Sequence, residues 1–348
     1  MRRFACFLCL MAVICLSVAQ TGGSAAFQIL SLPQSARTAA LGGSLVSVRE
    51  ETDPALSIAN PSLLQEKMGK NISALFVDYF ADAFYGNVHY FHANRWGVFR
   101  AGVQAVSYGA FDGYDLYGNE TGSFSAGDYV ISLGYGRELV PDRISLGMNL
   151  KTVFSYYETY FSAALALDAA ASYYDDEKNL CMSLAAVNIG AQFVSYADER
   201  EALPFDLQFA VSRKLEHLPA RFHFMFHHLT RWNMQYDDPT DPYLEYNSLT
   251  GENQKRSGVE VFMDNAFRHF VLGLEIEPVN VLSLQFSYDY NRRKEMRLYN
   301  RPALAGVSYG VCLHIRQFNL QYARVHAHVS SVPNFISVSI NLNQFKKS

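Results

Sequence analysis

The stretch Ile336-Ser337-Val338-Ser339-Ile340-Asn341-Leu342-Asn343 alternates strictly between apolar and polar side chains. Successive side chains of a β-strand point to opposite faces, so this stretch predicts a strand with one apolar and one polar face. Residues 144–151, 205–212 and 282–290 alternate in the same way. Period two therefore dominates the chain from Asn71 onward, and each strand has one face toward an apolar medium and one toward a polar medium.

The same pattern, followed along the chain, predicts about fourteen strands, an even number as in bacterial single-chain barrels. They lie near residues 72–80, 83–92, 97–109, 129–139, 144–160, 161–175, 180–193, 205–215, 221–233, 269–279, 281–291, 304–316, 318–329 and 334–345.

The connections between these strands sort by parity. Every second connection is short, as at 92–97 and 140–143, and all the long ones fall in the other set. The long connections are residues 110–128, 195–204, 234–268 and 291–303. Short turns at one end and long loops at the other are typical of outer-membrane barrels. The predicted fold class is all-β: a transmembrane antiparallel β-barrel with a short N-terminal helical hatch.

The composition suits a chain in contact with lipid. Charged residues make up 18% of the sequence, against about 25% in typical soluble domains, and aromatic residues make up 14%. Beyond the N-terminal stretch, no apolar run reaches the 18 or so residues of a helical membrane span. A formal charge of −4 gives no basic footprint for nucleic acid.

Aromatic residues are frequent near the predicted strand ends, as in the interfacial girdles of membrane barrels. Tyr156 and Trp232 are expected at the rim with the long loops, and Trp96, Tyr173 and Tyr174 at the opposite rim.

The first 19 residues have the pattern of a secretory signal peptide. Met1-Arg2-Arg3 precedes the apolar residues 4–18, and small residues surround the expected cleavage after Ala19. A lipoprotein signal is the alternative, but Cys9 and Cys15 follow Leu8 and Ile14 instead of a small residue. In the mature chain only Cys181 and Cys312 remain, which make no disulfide framework.

Residues 20–70 differ from the alternating region that follows. Small residues and helix-start features such as Asn60-Pro61 mark 35–43 and 53–64, so we expect a helical hatch in or under the lumen. The expected organisation is a signal peptide at 1–19, the hatch at 20–70 and the barrel at 71–345. A further helical turn is predicted at 259–267.

Two patterns suggest chemistry. Residues 306–310 match G-x-S-x-G, but the nucleophile elbow needs a strand-to-helix turn, and the alternation around Ser308 continues as strand. His223, His227 and His228, like the pair at 326 and 328, lack a nearby cysteine or carboxylate at metal-ligand spacing. We therefore expect no catalytic residue, no metal ion and no cofactor, and a chain that is not an enzyme.

The acidic and aromatic stretch 236–246 is the main candidate for binding. It lacks the spacing and glycine of an EF-hand, so calcium is a weaker alternative than a protein contact surface, and a merely solvated loop stays open. The predicted partner-binding residues of the long loops are Tyr236, Asp237, Asp238, Asp241, Tyr243, Tyr246, Tyr114 and Tyr117. Arg292, Arg293, Lys294 and Arg297 form a basic cluster that suits lipopolysaccharide phosphates or an ordinary solvated rim.

Several segments in combination resemble the PorQ family of outer-membrane proteins. The resemblance spans essentially the whole chain and is carried by 20–24, 30–43, 53–55, 60–64, 78–82, 117–122, 203–205 and 226–229, which include Leu203-Pro204-Phe205 and Phe226-His227-His228-Leu229.

What the resemblance implies is a fourteen-stranded, non-catalytic component of the type IX secretion system in the outer membrane of a Bacteroidota-type bacterium. Such a barrel would anchor the cell-surface attachment complex of PorZ and the PorU sortase with PorV, in contact with lipid and lipopolysaccharide. The PorQ family is related to long-chain fatty-acid transporter barrels, so a transporter of hydrophobic small molecules is the alternative, which the polar inner face at 337–343 disfavours. A barrel hydrolase would need a Ser/His/acid set at a rim.

Overall fold

The computed structural model describes residues 25–79, 83–197, 199–235, 246–247, 252–253, 257–296, 304–328 and 331–343. Fourteen antiparallel strands form a closed barrel. In chain order they are β1 Asn71–Asp78, β2 Phe84–Asn94, β3 Gly97–Tyr114, β4 Glu120–Val140, β5 Ile144–Tyr157, β6 Tyr160–Asp175, β7 Leu180–Val194, β8 Asp206–Lys214, β9 Ala220–Phe226, β10 Phe270–Val279, β11 Leu282–Asp289, β12 Val307–Ile315, β13 Phe318–Val325 and β14 Asn334–Asn341.

The barrel closes where β1 pairs with β14. Their antiparallel register runs from Asn71 opposite Asn341 to Asp78 opposite Asn334. Each of the other strands pairs with its neighbours in sequence, including β9 with β10 across the longest connection. Every strand of the ring pairs with a neighbour on both sides over at least part of its length, so most backbone polar groups of the wall are satisfied within it, as a bilayer requires.

Side chains alternate across the wall as the sequence predicts. In β14, Ile336 is 49% exposed on the outside whereas Ser337 is 1% exposed on the inside. The outer surface of the other strands carries Leu, Val, Ile, Phe and Tyr, and the inner surface carries mostly Ser, Asn, Gln and charged residues. The predicted fold class is confirmed: a fourteen-stranded antiparallel barrel with an apolar belt that fits a membrane.

Among the described residues, no helix is both long and apolar enough to cross a bilayer.

The wall has unequal height. β3 to β7 are long, with 21 residues in β4, whereas β9 has only 7. The residues predicted as a loop at 110–128 are largely an extension of the β3–β4 hairpin, and β9 ends at Phe226, well before the predicted residue 233. We call the end with the short turns the inner end and the other the outer end.

Helices occupy the hatch and the outer end. In the hatch, α1 covers Ala36–Ala40 and α2 covers Leu56–Ala59, with 3-10 turns at Gln28–Ser31, Pro61–Leu63 and Glu66–Met68. At the outer end lie α3, Gly258–Arg268, and α4, Tyr290–Glu295. Ser257 and Glu260 cap α3 reciprocally through their side chains and backbone amides. The two-residue strands Tyr246–Asn247 and Glu252–Asn253 pair with each other apart from the barrel.

Two aromatic predictions need correction. Tyr174 is buried in the lumen, where its hydroxyl lies 3.0 Å from Ser145 Oγ, because it shares the inward parity of Ser172 and is not part of the rim. Trp232 does not end β9; it lies in the segment that follows, 5.1 Å between ring centroids from Phe262 of α3. At the outer rim, Tyr156 stands where expected, beside Phe161 at 4.8 Å.

Candidate functional site

The described part of the hatch, residues 25–70, lies inside the barrel. Helix α1 packs on the inner faces of β11 to β14, where the Ala36 amide donates to Ser337 Oγ at 2.7 Å. The 3-10 turn at Pro61–Leu63 packs on β4, β5 and β6. There, two wall glycines, Gly136 and Gly147, leave room for it: a Cβ at Gly147 would lie 2.1 Å from the Pro61 carbonyl carbon.

A buried charge network fastens α1 to the wall. The Arg37 guanidinium donates to both carboxylate oxygens of Glu275, at 2.9 and 2.8 Å, and also to Glu50 at 2.8 Å and Asp53 at 3.1 Å. Gln285 and Gln321 donate to Glu275 and Asp53 from the wall. Buried charges persist only when paired and hydrogen-bonded, so this network defines one seat for the hatch.

A second fastening lies at the inner end. Arg49 of the hatch pairs with Glu138 at 3.0 Å, Asp142 at 2.7 Å and Asp176 at 3.6 Å. Its guanidinium also lies over the ring of Tyr174 at 4.8 Å. These three carboxylates belong to the ends of β4 and the short turns, and they are part-exposed, so solvent weakens the pairs relative to the Arg37 network.

A cavity of about 1210 Å³ lies between the hatch and the outer half of the barrel. This volume is somewhat above the usual range for small-molecule sites, about 300 to 1,000 Å³. Much of the lining is apolar and comes from the hatch and the wall: Leu30, Leu32, Leu45, Ile58, Val187, Leu203, Met225, Met234, Val271 and Met296. Polar lining includes Arg100, Gln104, Lys151, Asp168, Asp206, His227 and His228.

Arg100 gives the cavity a buried cationic group. Its guanidinium contacts His89 Nδ1 at 2.6 Å, Ser132 Oγ at 3.0 Å and Asn149 Oδ1 at 2.8 Å. Within the described ranges no carboxylate forms an ion pair with it, and its Nε has no hydrogen-bond partner. The neighbouring Asp168 instead pairs with Lys151 at 2.8 Å. An anionic group in the cavity would complete the pairing of this charge.

The wall beside the cavity is incomplete at its outer half. The ladder between β7 and β8 ends where Val187 faces Asp206, although β7 continues to Val194. A bulge at this point gives Asn188 a φ of 59°, and its side chain donates to the Pro204 carbonyl at 3.0 Å.

The cavity reaches the outer surface of the wall at the same place. Its lining includes Ile189 and Phe205, which are 42% and 40% exposed on the outside. The first described residues border this segment, since the Ala26 amide donates to the Ala202 carbonyl at 2.9 Å.

The predicted partner-binding residues lie away from the cavity or outside the described residues. Tyr236, Asp237, Asp238, Asp241 and Tyr243 fall outside them, and Tyr246 is described only as backbone paired with Asn253.

Tyr114 and Tyr117 stand at the tip of the β3–β4 hairpin, 64% and 90% exposed. The turn is fixed by Asp115, whose Oδ1 accepts hydrogen bonds from the Tyr117 and Asn119 amides at 2.8 Å. Neither tyrosine lines the cavity.

Ser308 lies within a regular strand, and two residues of the basic cluster lie near carboxylates of the protein itself. Ser308 is a buried residue inside β12, opposite Ser287 and Val325, so no elbow is formed around it. Of the basic cluster, Arg292 approaches Asp289 at 3.6 Å and Lys294 approaches Asp264 at 3.5 Å, while Arg297 falls outside the described ranges.

One carboxylate lies beside the histidines that the spacing of residues in the sequence does not reveal. Asp206, at the start of β8, lies with His227 and His228 in a group whose ligand-type atoms are all within 4.8 Å of one another. This proximity is not visible in the sequence because β8 and β9 are separate strands, and only their register brings residue 206 next to residue 228. His223 is not a member of this group; its Nε2 lies 3.8 Å from Glu275 Oε2.

Comparison with known proteins identifies the fold. No family model matches the sequence, and no curated protein matches it. Among solved structures, the Ralstonia pickettii toluene transporter TbuX matches with a TM-score of 0.50 and 10% identity over 90% of this chain and 99% of TbuX. A mutant of the monoaromatic hydrocarbon channel TodX matches with a TM-score of 0.48 and 12% identity over 91% of this chain and 100% of TodX. A Pseudomonas aeruginosa FadL homologue matches with a TM-score of 0.46 and 9% identity over 90% of this chain and 99% of the homologue. At these identities the likeness to TbuX establishes the fold alone.

Proposed function

We propose that this barrel passes small, largely apolar molecules, such as long-chain fatty acids, across an outer membrane. The observation that carries the proposal is the cavity of about 1210 Å³ between the hatch and the wall. An anchor would need no such space, whereas a transporter must hold its cargo in the lumen. Transport of this kind requires no reacting group.

The lining of the cavity matches an amphipathic cargo. Leucine, isoleucine, valine and methionine side chains supply apolar surface, and Arg100 supplies a buried cation without a carboxylate partner among the described residues. An acyl chain would contact the apolar part, and its carboxylate would complete the pairing of the guanidinium. TbuX, which shares the fold, is named as a toluene transporter, so an aromatic hydrocarbon is a second substrate to test.

The route through the barrel follows from the same geometry. The Arg37 network and the Pro61–Leu63 turn hold the hatch across the lumen below the cavity. Beside the cavity, the unpaired part of β7 beyond Val187 leaves the wall without a β8 ladder. An apolar molecule would therefore leave sideways at this gap or inward after movement of the hatch.

Filling the cavity tests the proposal. Ser44 of the hatch lines the cavity, and Ser44→Trp would occupy part of its space. Ser123→Trp is the matched control, because Ser123 is exposed on the β3–β4 hairpin. Cells that lack their own hydrocarbon channel and express each variant would be assayed for uptake of labelled oleate and toluene, with surface level and heat-modifiable migration checked in parallel.

We expect uptake with the wild-type barrel and with Ser123→Trp, and uptake at the background level with Ser44→Trp. A wild-type barrel that gives no uptake of either compound would contradict the proposal. Equal uptake by Ser44→Trp and wild type would contradict the assignment of the cavity as the route.

A second candidate function is the anchoring of a surface protein complex, which is what the PorQ-family resemblance implies. The observation that favours it is the β3–β4 hairpin, whose tip presents Tyr114, Tyr117 and the fully exposed Leu116 beyond the wall. Aromatic residues such as tyrosine are enriched in protein contact surfaces. The partners would be PorZ and the complex that contains PorU and PorV.

Co-purification in mild detergent tests anchoring. Under this proposal PorZ stays with the outer membrane through the barrel, and deletion of residues 236–247 releases it. Normal retention of PorZ after loss of the whole barrel would contradict anchoring, and normal retention after the deletion alone would contradict the role of that loop.

A further inference from the structure

Three side chains with metal-binding atoms meet where β8 begins and β9 ends. His228 Nδ1 lies 3.8 Å from Asp206 Oδ2, and the Nδ1 atoms of His227 and His228 face each other in direct contact. One ligand-type atom from each residue lies within 4.8 Å of the other two. Asp206 and His227 are buried, and all three residues line the cavity.

The side chains of His227 and His228 converge because the backbone departs from the strand conformation at this point. Adjacent residues of a strand point to opposite faces, so His227 and His228 would be separated if β9 continued. Instead β9 ends at Phe226, and His228 has a φ of 55°, in the left-handed region that non-glycine residues seldom occupy. Residues held in this way are enriched at ligand clamps and other functional sites.

Neighbouring groups hold the three residues in position. The Asp206 carboxylate accepts hydrogen bonds from the His228 amide at 2.6 Å and from Gln208 Nε2 at 2.7 Å. The His227 backbone is tied to His269 twice, through its amide at 3.1 Å and its carbonyl at 2.8 Å. Such outer contacts are what fixes the geometry of metal ligands.

The donor set has the chemistry of a transition-metal site. Two imidazoles and one carboxylate are a known ligand combination for zinc, with a fourth position left for water or another donor. Imidazole also suits copper and nickel, whereas calcium and magnesium prefer sites made only of oxygen ligands. Within the described part of the chain, the buried Nε2 of His227 has no hydrogen-bond partner, so that ring is not fully engaged by the protein.

We infer that Asp206, His227 and His228 bind one divalent first-row transition ion, with the remaining coordination position open to the cavity. The ion would connect the start of β8 to the segment after β9, beside the gap in the wall. Metal binding at this cluster would be observed whether or not the barrel transports a molecule.

The test uses the intact barrel, purified from membranes in mild detergent without a polyhistidine tag. After treatment with a chelator, the protein is titrated with Zn²⁺, Cu²⁺ and Ca²⁺ by calorimetry, and the Cu²⁺ form is examined by electron paramagnetic resonance. We expect one Zn²⁺ or Cu²⁺ per barrel, tighter binding of Cu²⁺ than of Zn²⁺, nitrogen hyperfine structure from two imidazoles, and no saturable binding of Ca²⁺.

Variants locate the ion. Asp206→Asn keeps the size of the side chain, and His227→Ala and His228→Ala each remove one ring; each change should weaken Zn²⁺ binding by at least about tenfold. His217→Ala is the matched control, because His217 is exposed in the turn before β9 and its loss should leave binding unchanged. Heat-modifiable migration on gels verifies that each variant is folded.

Three results would overturn the inference. The first is the absence of saturable Zn²⁺ or Cu²⁺ binding to the wild-type barrel. The second is binding that is unchanged in a folded His227→Ala, His228→Ala double variant. The third is a Cu²⁺ spectrum without imidazole nitrogens, which is read from the wild-type protein and so does not depend on any variant folding.

Discussion

Arg37 of the hatch and Glu275 of β10 face each other in a two-pronged ion pair, with Nε to Oε1 at 2.9 Å and Nη2 to Oε2 at 2.8 Å, although 238 residues separate them in sequence. Both side chains are almost wholly removed from solvent. The pair therefore joins the hatch directly to the wall.

Loss of Arg37 should release the hatch. Arg37→Ala removes the cation that is hydrogen-bonded to the buried Glu275 and Asp53, and breaking such a pair from one side costs about 3–5 kcal/mol. We expect frequent openings in planar bilayers, measured as single-channel conductance. Arg49→Ala is the control, since its part-exposed pairs at the inner end should matter less. Conductance that stays at the wild-type level in Arg37→Ala would show that the network does not hold the hatch.

A methyl group at Gly147 should also disturb the hatch. Its Cβ would lie 2.1 Å from the Pro61 carbonyl carbon and 2.3 Å from the oxygen, and overpacking of this kind costs about 1–3 kcal/mol. Limited proteolysis should cut the hatch of Gly147→Ala faster than that of the wild type. Gly258→Ala, where the added Cβ meets nothing within 4 Å, should behave like the wild type. Equal rates of proteolysis for the wild type and both variants would contradict the close packing of Pro61 against Gly147.

Acid should loosen α3 at an unusually low pH. Burial alone would raise the pKa of Asp264, but hydrogen bonds from Tyr290, Arg268 and Gln235 lower it to about 2. Because the pKa in the folded protein is depressed, the stabilisation is present above the unfolded value near 3.9 and is lost as the pH falls through about 2. Trp232 packs on Phe262 of α3, so its fluorescence reports this change.

The measurement uses the background Trp96→Phe, which leaves Trp232 as the single tryptophan. Asp264→Asn removes the titrating group and should abolish the transition while lowering the stability of α3 at neutral pH. The same acid transition in Asp264→Asn would assign it to another group.

Changes at the exposed hairpin tip should reduce partner binding without lowering the stability of the barrel. Tyr114→Ser and Tyr117→Ser remove aromatic area that contributes nothing to the cavity. If the hairpin is a contact surface, the double variant should retain less PorZ in membranes while its melting temperature stays that of the wild type. Leu218→Ser, at an exposed turn of the inner end, is the control. Unchanged retention would exclude the hairpin as the contact.

Strand alternation predicts most of the wall, and its failures have local causes. The predicted end of β9 at residue 233 is wrong, because the chain leaves the strand after Phe226 and His228 adopts a left-handed conformation. The rim position predicted for Tyr174 rests on its residue type alone. Tyr174 lies two residues after Ser172 in the same strand, so both side chains point into the lumen. For Tyr174, the alternation of the strand therefore indicates the correct face, whereas the preference of tyrosine for barrel rims does not.

The interior of the barrel depends on contacts that sequence spacing does not show. The partners of Arg37 come from the hatch and from β10, and the volume of the cavity depends on how far the hatch fills the lumen. Asp206 meets His228 only through the register of β8 against β9. The Arg37–Glu275 pair therefore depends on the position of the hatch inside the closed ring, whereas the Asp206–His228 contact depends on the register of a single hairpin.

The position of the hatch constrains the order of assembly. The hatch runs directly into β1, and β1 forms the seam with β14, which joins the two ends of the barrel sequence. The contacts of Ala36 and Arg37 lie on β10, β13 and β14, which are among the last strands in chain order. Although the hatch is made before the barrel strands, it therefore cannot reach its final position until the C-terminal strands have been added.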